Sequence, residues 1–201
     1  MKFQNPPGAT PLNDTEGLIP KHITTQEELN EYEQNNILKA TRKLMISRYR
    51  KKEWLNIQLI KHVHKEMFSE TWEWAGEFRK IETNMGLPPY QISSEIKKLC
   101  DDINVWPIEP EKQVIENAVK LHHRLTHIHP FKNGNGRHAR LMANLYLYNH
   151  HLSLLPWGAC PLNKKDATRK KYLIALKEAD KGEFNKLIQF AKSEFREKSR
   201  V

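Results

Sequence analysis

The sequence predicts an all-α domain interrupted by one β-hairpin, and three observations carry that prediction. Apolar residues recur at three- and four-residue spacing, as in Ile57, Ile60, Val63 and Met67, and again in Phe184, Leu187, Ile188, Ala191 and Phe195. One stretch, WAGEFRKIETNMGLPPYQI (74–92), breaks this periodicity. No internal repeat or low-complexity segment divides the 201 residues, a length that suits a single domain with its own hydrophobic core.

Residues 1–24 are rich in Pro, Gly, Asn and Thr and read as an irregular arm, leaving 25–201 for the helical domain. Thr25 and Glu28 form a capping box, and Leu29, Tyr32, Asn36 and Ile37 continue a helical face toward Tyr49. A second helix runs from about Asn56 to Trp72. Phe78 to Thr83 then read as extended, Asn84-Met85-Gly86 as a turn, and Pro88-Pro89 as a barrier to helix. The resulting hairpin, or flap, covers about 78–92. Helix resumes near Ser94 and again near Gln113, where Val114, Ala118, Val119, Leu121, Leu125 and Ile128 make an apolar face. Further helices follow Gly136, then Asn163 with Asp166 at its third position, then Glu183.

Composition narrows the possible chemistry. Cys100 and Cys160 stand far apart and in no CxxC spacing, which points to a reduced, cytoplasmic protein without thiol chemistry. The first residues lack the apolar core of a signal peptide, and no apolar run is long enough to span a membrane. A net charge of +9 favours anionic partners, yet Arg48, Arg50, Lys51, Lys52, Arg169, Lys170 and Lys171 are scattered over helix faces. A solvated basic surface explains them better than a nucleic-acid groove.

The chemistry concentrates in HIHPFKNGNGRHAR, residues 127–140. A residue before proline is pushed out of the α region, so the helix ends near Ile128 and leaves His129 facing a turn. Gly134-Asn135-Gly136 lets successive amide N–H groups converge, and the helix that starts there adds free donors and a favourable dipole for an anion. Arg137 and Arg140 lie on neighbouring turns, and guanidinium groups suit phosphate oxygens. The result is a phosphate cradle beside an imidazole suited to general-base work. His122, His123, His127 and His138 surround it, but no cysteine and no well-spaced carboxylate joins them as a metal site.

This stretch resembles the Fic motif, HPFx(D/E)GNGRxxR, at every fixed position but one. The similarity extends to WAGEFR, which resembles the family's flap, to KKYLIALKEADKGEFNKLIQF, which resembles its closing helices, and to EGLIPKHITTQEELNEYEQNNI, which is similar to the mobile mystery protein B group. The resemblance implies a Fic fold with its motif at 129–140, and transfer of AMP from ATP to a Ser, Thr or Tyr hydroxyl of a target protein. By the same resemblance His129 is the base, Gly134, Asn135 and Gly136 form the anion hole, and Arg137 and Arg140 hold the β- and γ-phosphates. Thr83, Asn84, Met85 and Gly86, in the flap, close over the nucleotide and clamp the target segment. A bacterial cytoplasmic setting and a small helix-turn-helix partner protein are also implied.

Asn133 is the departure, standing where the family has an acid that ligates Mg²⁺. An amide oxygen carries no charge, so weak Mg²⁺ binding is expected there. Many relatives are restrained by a glutamate with Ser or Thr four residues before it and Gly or Asn after it. Glu16-Gly17 is the best match, although Leu12 occupies the earlier position, and a Glu16–Arg140 pair is the expected brake; Glu33 is the second candidate. Three other functions compete with AMP transfer. They are transfer of UMP or of a phosphate, a catalytically silent binding module created by Asn133, and nucleic-acid binding by the basic surface.

Overall fold

The computed structural model describes residues 15–46, 54–158 and 165–193. Within them lie seven helices: α1 (Gln26–Ile46), α2 (Ile57–Phe68), α3 (Pro89–Ile103), α4 (Glu111–Ile128), α5 (Asn135–Asn149), α6 (Lys165–Ala179) and α7 (Asn185–Lys192). Arg48, Cys160, Asn163 and Phe195 fall outside the described residues. No described helix is long and apolar enough to cross a membrane.

The starts of α1 and α2 are set by side-chain caps. Thr25 Oγ1 accepts the Glu28 N–H at 3.2 Å while Glu28 Oε2 accepts the Thr25 N–H at 3.0 Å, so the capping box forms reciprocally. The backbone N–H groups of Thr24 and Thr25 hold the Glu28 carboxyl below its usual range. Asn56 caps α2 by accepting the Leu59 N–H at 2.8 Å. Helix α2 stops at Phe68, short of the expected Trp72, because 69–76 turns back over it.

The core gathers around α5, which buries side chains on most of its circumference, including His138, Leu141, Met142, Leu145 and Tyr146. Helices α4 and α5 make the most extensive pairing, and α1 and α2 pack on the other side of α5. Helix α1 contributes a stripe of Leu29, Glu33, Asn36, Ala40 and Leu44, so two polar residues enter the core with the apolar ones. Cys100 is buried there too, and burial raises its thiol pKa to about 11, too high for a reactive thiolate.

The expected hairpin is not formed. Among the described residues no strand occurs; a lone bridge joins Leu18 and Trp72. Residues 77–88 form an irregular loop, and 89–92 belong to α3. Proline misled the sequence reading here. Pro89 occupies the first helical position, where an N–H has no intrahelical partner, so Pro88-Pro89 opens α3 instead of delaying it to Ser94.

Candidate active site

Arg79 replaces strand pairing as the organiser of the flap loop. Its Nε donates to the His129 carbonyl at 2.7 Å and Nη1 to that of Ile81 at 3.0 Å; Nη2 donates to the Leu87 carbonyl. Its backbone N–H reaches Pro130 O at 2.9 Å, and the Leu87 N–H reaches Ile128 O at 3.3 Å. One buried guanidinium thus ties both ends of the loop to the start of the motif. Thr83 Oγ1 donates to Met85 O at 2.5 Å and tightens the turn. At Gly86, with φ +91°, a Cβ would stand 2.3 Å from His129 Cβ, so the loop can press on His129 only with glycine there.

His129 ends α4 in the left-handed region, φ 54° and ψ 58°. The flap leaves it 8% exposed. Burial, reinforced by the Arg79 charge, lowers its pKa to about 4, so the ring is neutral at physiological pH. Its Nδ1 lies 3.3 Å from the Thr126 carbonyl, which can only accept; Nδ1 therefore carries the proton and Nε2 the lone pair. This is the tautomer a general base requires.

Beyond Phe131, Gly134 is the left-handed N-cap of α5 at φ +77°, and a Cβ there would strike the Phe68 ring at 2.5 Å. Gly136, in contrast, has ordinary helical geometry; its small size keeps the N-terminus open, with only Tyr172 Oη within 4 Å of where a Cβ would be. Asn135 turns its side chain inward. Its Oδ1 accepts the Phe131 N–H at 2.9 Å and its Nδ2 donates to Phe131 O at 2.8 Å, stapling the HPF turn. What Asn135 presents at the helix start is its backbone.

The two motif arginines have different surroundings. Arg137 lies over the Phe68 ring, and its Nη1 meets Glu33 Oε2 at 2.5 Å. The Glu33 side chain is only 2% exposed, and its other oxygen accepts Trp72 Nε1–H at 2.7 Å. Arg140 lies 4.9 Å over the Tyr172 ring, its Nε is buried without a partner, and it pairs with no carboxylate among the described residues. The expected Glu16–Arg140 pair is therefore not made. The Glu16 side chain is 84% exposed, with Oε2 3.9 Å from Lys132 Nζ, because the arm crosses the Trp74 side of the motif loop. Gly17, at φ +80°, packs against Trp74, and its carbonyl accepts the Glu73 N–H at 2.9 Å. Glu16, Trp74, Phe78, Ile81 and Lys132 border an open cleft of about 450 Å³ beside the flap.

Asn133 Oδ1, the expected weak metal contact, accepts the Gly134 N–H at 2.7 Å. Among the described residues no group of three His, Cys, Asp or Glu could hold an ion. The donor set does not fit a protein-held Mg²⁺. The neighbouring histidines have other partners. His138 Nε2 donates to Ile60 O, His122 meets the Tyr172 hydroxyl, and His123 meets Asp180.

The neutral His129, the left-handed Gly134 cap and the two arginines of the α5 start lie within the stretch that the sequence model of the Fic/DOC family matches. The match to the Fic/DOC family runs over residues 54–147. The chain is 27% identical over 146 residues to a protein adenylyltransferase Fic of Nematostella vectensis, covering 70% of this chain and 32% of that protein. It is 32% identical over 95 residues to a probable protein adenylyltransferase of Aquifex aeolicus, covering 47% of this chain and 26% of that protein. It thus spans about a third or less of these relatives. The fold matches that of BepC from Bartonella tribocorum, solved with bound AMPPNP, at a TM-score of 0.66 and 19% identity, covering 90% of this chain and 92% of that one. It also matches a Fic-1 structure from C. elegans at a TM-score of 0.65 and 22% identity, covering 87% and 50%. The described helices are therefore those of a Fic fold.

Sequence reasoning missed Arg79, Thr126 and Tyr172 as parts of this site. Arg79 stood in the WAGEFR segment but gave no periodic signal, and Tyr172, 32 residues beyond the motif, stood in the KKYLIALKEADKGEFNKLIQF segment, which reads only as closing helices.

Proposed function

We propose that this Fic domain moves AMP from ATP to a hydroxyl of a Ser, Thr or Tyr side chain on a target protein. The observation that carries the reading is the neutral His129, with Nδ1 tied to Thr126, placed directly before an open helix N-terminus with two arginines. His129 Nε2 takes the hydroxyl proton as that oxygen attacks the α-phosphorus. The bond from the α-phosphorus to its bridging oxygen breaks, pyrophosphate leaves, and the imidazolium returns its proton to solvent. The α5 N-terminus stabilises the developing negative charge, and Arg137 and Arg140 hold the outer phosphates. A target segment would lie along the 77–88 loop and its neighbouring cleft.

Glu33 is the brake in this reading. Its buried carboxylate occupies the guanidinium that the phosphates need, and Trp72 fixes it in place. The test is incubation with α-³²P-ATP, divalent cation and a bacterial lysate, comparing wild type, Glu33→Gln and Glu33→Gln with His129→Ala. Label on protein that rises in the single variant and falls at least about 100-fold in the double one supports the assignment. The engaged Asn133 oxygen favours one second reading, a nucleotide-binding module without transfer. ATP binding with no label in any of the three forms would select it.

A further inference from the structure

His64 belongs to α2, has no exposed surface and takes no part in the chemistry described so far. Its ring stacks on Phe131 at 3.7 Å between centroids and 16° between planes, with Phe68 at 4.7 Å on another side. A buried imidazole in such a place must satisfy both nitrogens. It does so with backbone groups of two different loops: Nδ1 lies 2.9 Å from the Gly76 nitrogen and Nε2 lies 3.1 Å from the Asn133 oxygen.

These partners fix the tautomer. The Gly76 N–H can only donate, so Nδ1 is the acceptor; the Asn133 carbonyl can only accept, so Nε2 carries the proton. Gly76 approaches this closely because it is glycine: at φ +85°, a Cβ would stand 2.9 Å from Lys65 Cβ and 3.0 Å from the Lys61 carbonyl. Burial keeps the ring neutral, with its pKa well below the usual histidine value, so the arrangement persists at physiological pH.

In a trans peptide the carbonyl and the following N–H point in opposite directions. Holding the Asn133 carbonyl inward therefore turns the Gly134 N–H outward, and on that side it meets Asn133 Oδ1 at 2.7 Å. That amide stands at the entry of the helix start, where a phosphate oxygen can take the place of Asn133 Oδ1. We propose that His64 is a positioning residue for the phosphate cradle, orienting the Asn133–Gly134 peptide so that its N–H faces the nucleotide. This rests on reading the loop at 133–136 as that cradle.

Two variants separate this role from simple core packing. Gln places an amide N–H near the position of Nε2, whereas Asn places an acceptor near that of Nδ1. Each removes one of the two hydrogen bonds, so similar losses of thermal stability are expected. Only His64→Asn releases the Asn133 carbonyl. It should weaken ATP binding, measured by calorimetry, by about tenfold or more, while His64→Gln stays within about threefold of wild type. In ¹⁵N spectra the Gly134 amide should move in His64→Asn and stay near its wild-type position in His64→Gln. Equal ATP affinities, or losses that follow Tm equally in both variants, would overturn the proposal. Wild-type protein with ¹⁵N-labelled histidine gives a check without variants: His64 must show a protonated Nε2 and a bare Nδ1, and the opposite tautomer sinks the idea. If wild type binds no ATP, the cradle reading fails instead, while the tautomer and the Gly134 shift still report on His64.

Discussion

Glu33 is the residue whose place in the core most needs a reason. A carboxylate so thoroughly buried is tolerable only when both oxygens are satisfied, and here Trp72 and Arg137 satisfy them. Removing the side chain would leave the Trp72 N–H unpaired, so truncation mixes a folding defect with any release of Arg137. Glu33→Gln keeps an acceptor for Trp72 and removes only the charge. The expected outcome is an initial rate of AMP transfer raised about tenfold at subsaturating ATP, with Tm lowered only slightly. An unchanged rate would assign Glu33 to the architecture alone. Sequence spacing favours Glu16 over Glu33 as the partner of a motif arginine, whereas in the structure Glu33 meets Arg137. Glu33 falls on the same stripe as Leu29, Asn36 and Ala40. Which of the two carboxylates meets a motif arginine depends on how α1 crosses α5.

Among the elements, the flap loop most clearly separates composition from structure. Residues 77–88 have no ladder to hold them, and Arg79 ties the loop to itself through the carbonyls of Ile81 and Leu87 and to the motif through that of His129. Arg79→Met keeps the aliphatic bulk and removes these donors. Hydrogen bonds from a charged group contribute about 1.5–3 kcal/mol each, and part of that loss is recovered by water at the exposed carbonyls. A drop of about 2–4 kcal/mol in urea unfolding is expected, together with faster amide exchange at Leu87. Exchange that stays slow would mean the proline-led start of α3 fixes the loop without Arg79. The helices themselves were legible because their signals are local: Thr25 with Glu28 and Asn56 cap within four residues of the groups they serve. Pro89 misled because the same residue forbids the interior of a helix and favours its first turn.

For the whole molecule, the buried histidines set an acid limit. Burial lowers the pKa of His129 and His138 to about 4, and those of His64 and His122 well below the usual value. In each case the folded pKa lies below the unfolded one. The neutral-ring contribution to stability is therefore complete above pH of about 6.5 and is lost as pH falls toward and through the folded values. Each group adds up to about 1.4 kcal/mol per pH unit in that window. The melting temperature should accordingly fall steadily between pH 7 and pH 5 in low-salt buffer, with His138→Gln showing a shallower fall. A flat profile would show that these rings remain solvated in solution. The same burial keeps His129 unprotonated, so the rate of transfer should not lose its base in mildly acidic buffer while the protein stays folded.

The sequence by itself determined the helical class, the caps, the end of α4 at Ile128 and the residues of the 129–140 motif, because each depends on groups a few positions apart. Tertiary structure alone decided how those residues are used. His129 becomes a buried neutral imidazole because Gly86 closes on it, 43 residues away in the chain. Arg137 meets Glu33 across 104 residues, and the Asn133 carbonyl meets His64 across 69. Such contacts follow from the crossing of helices and the path of loops, and no local pattern of residue types encodes those distances.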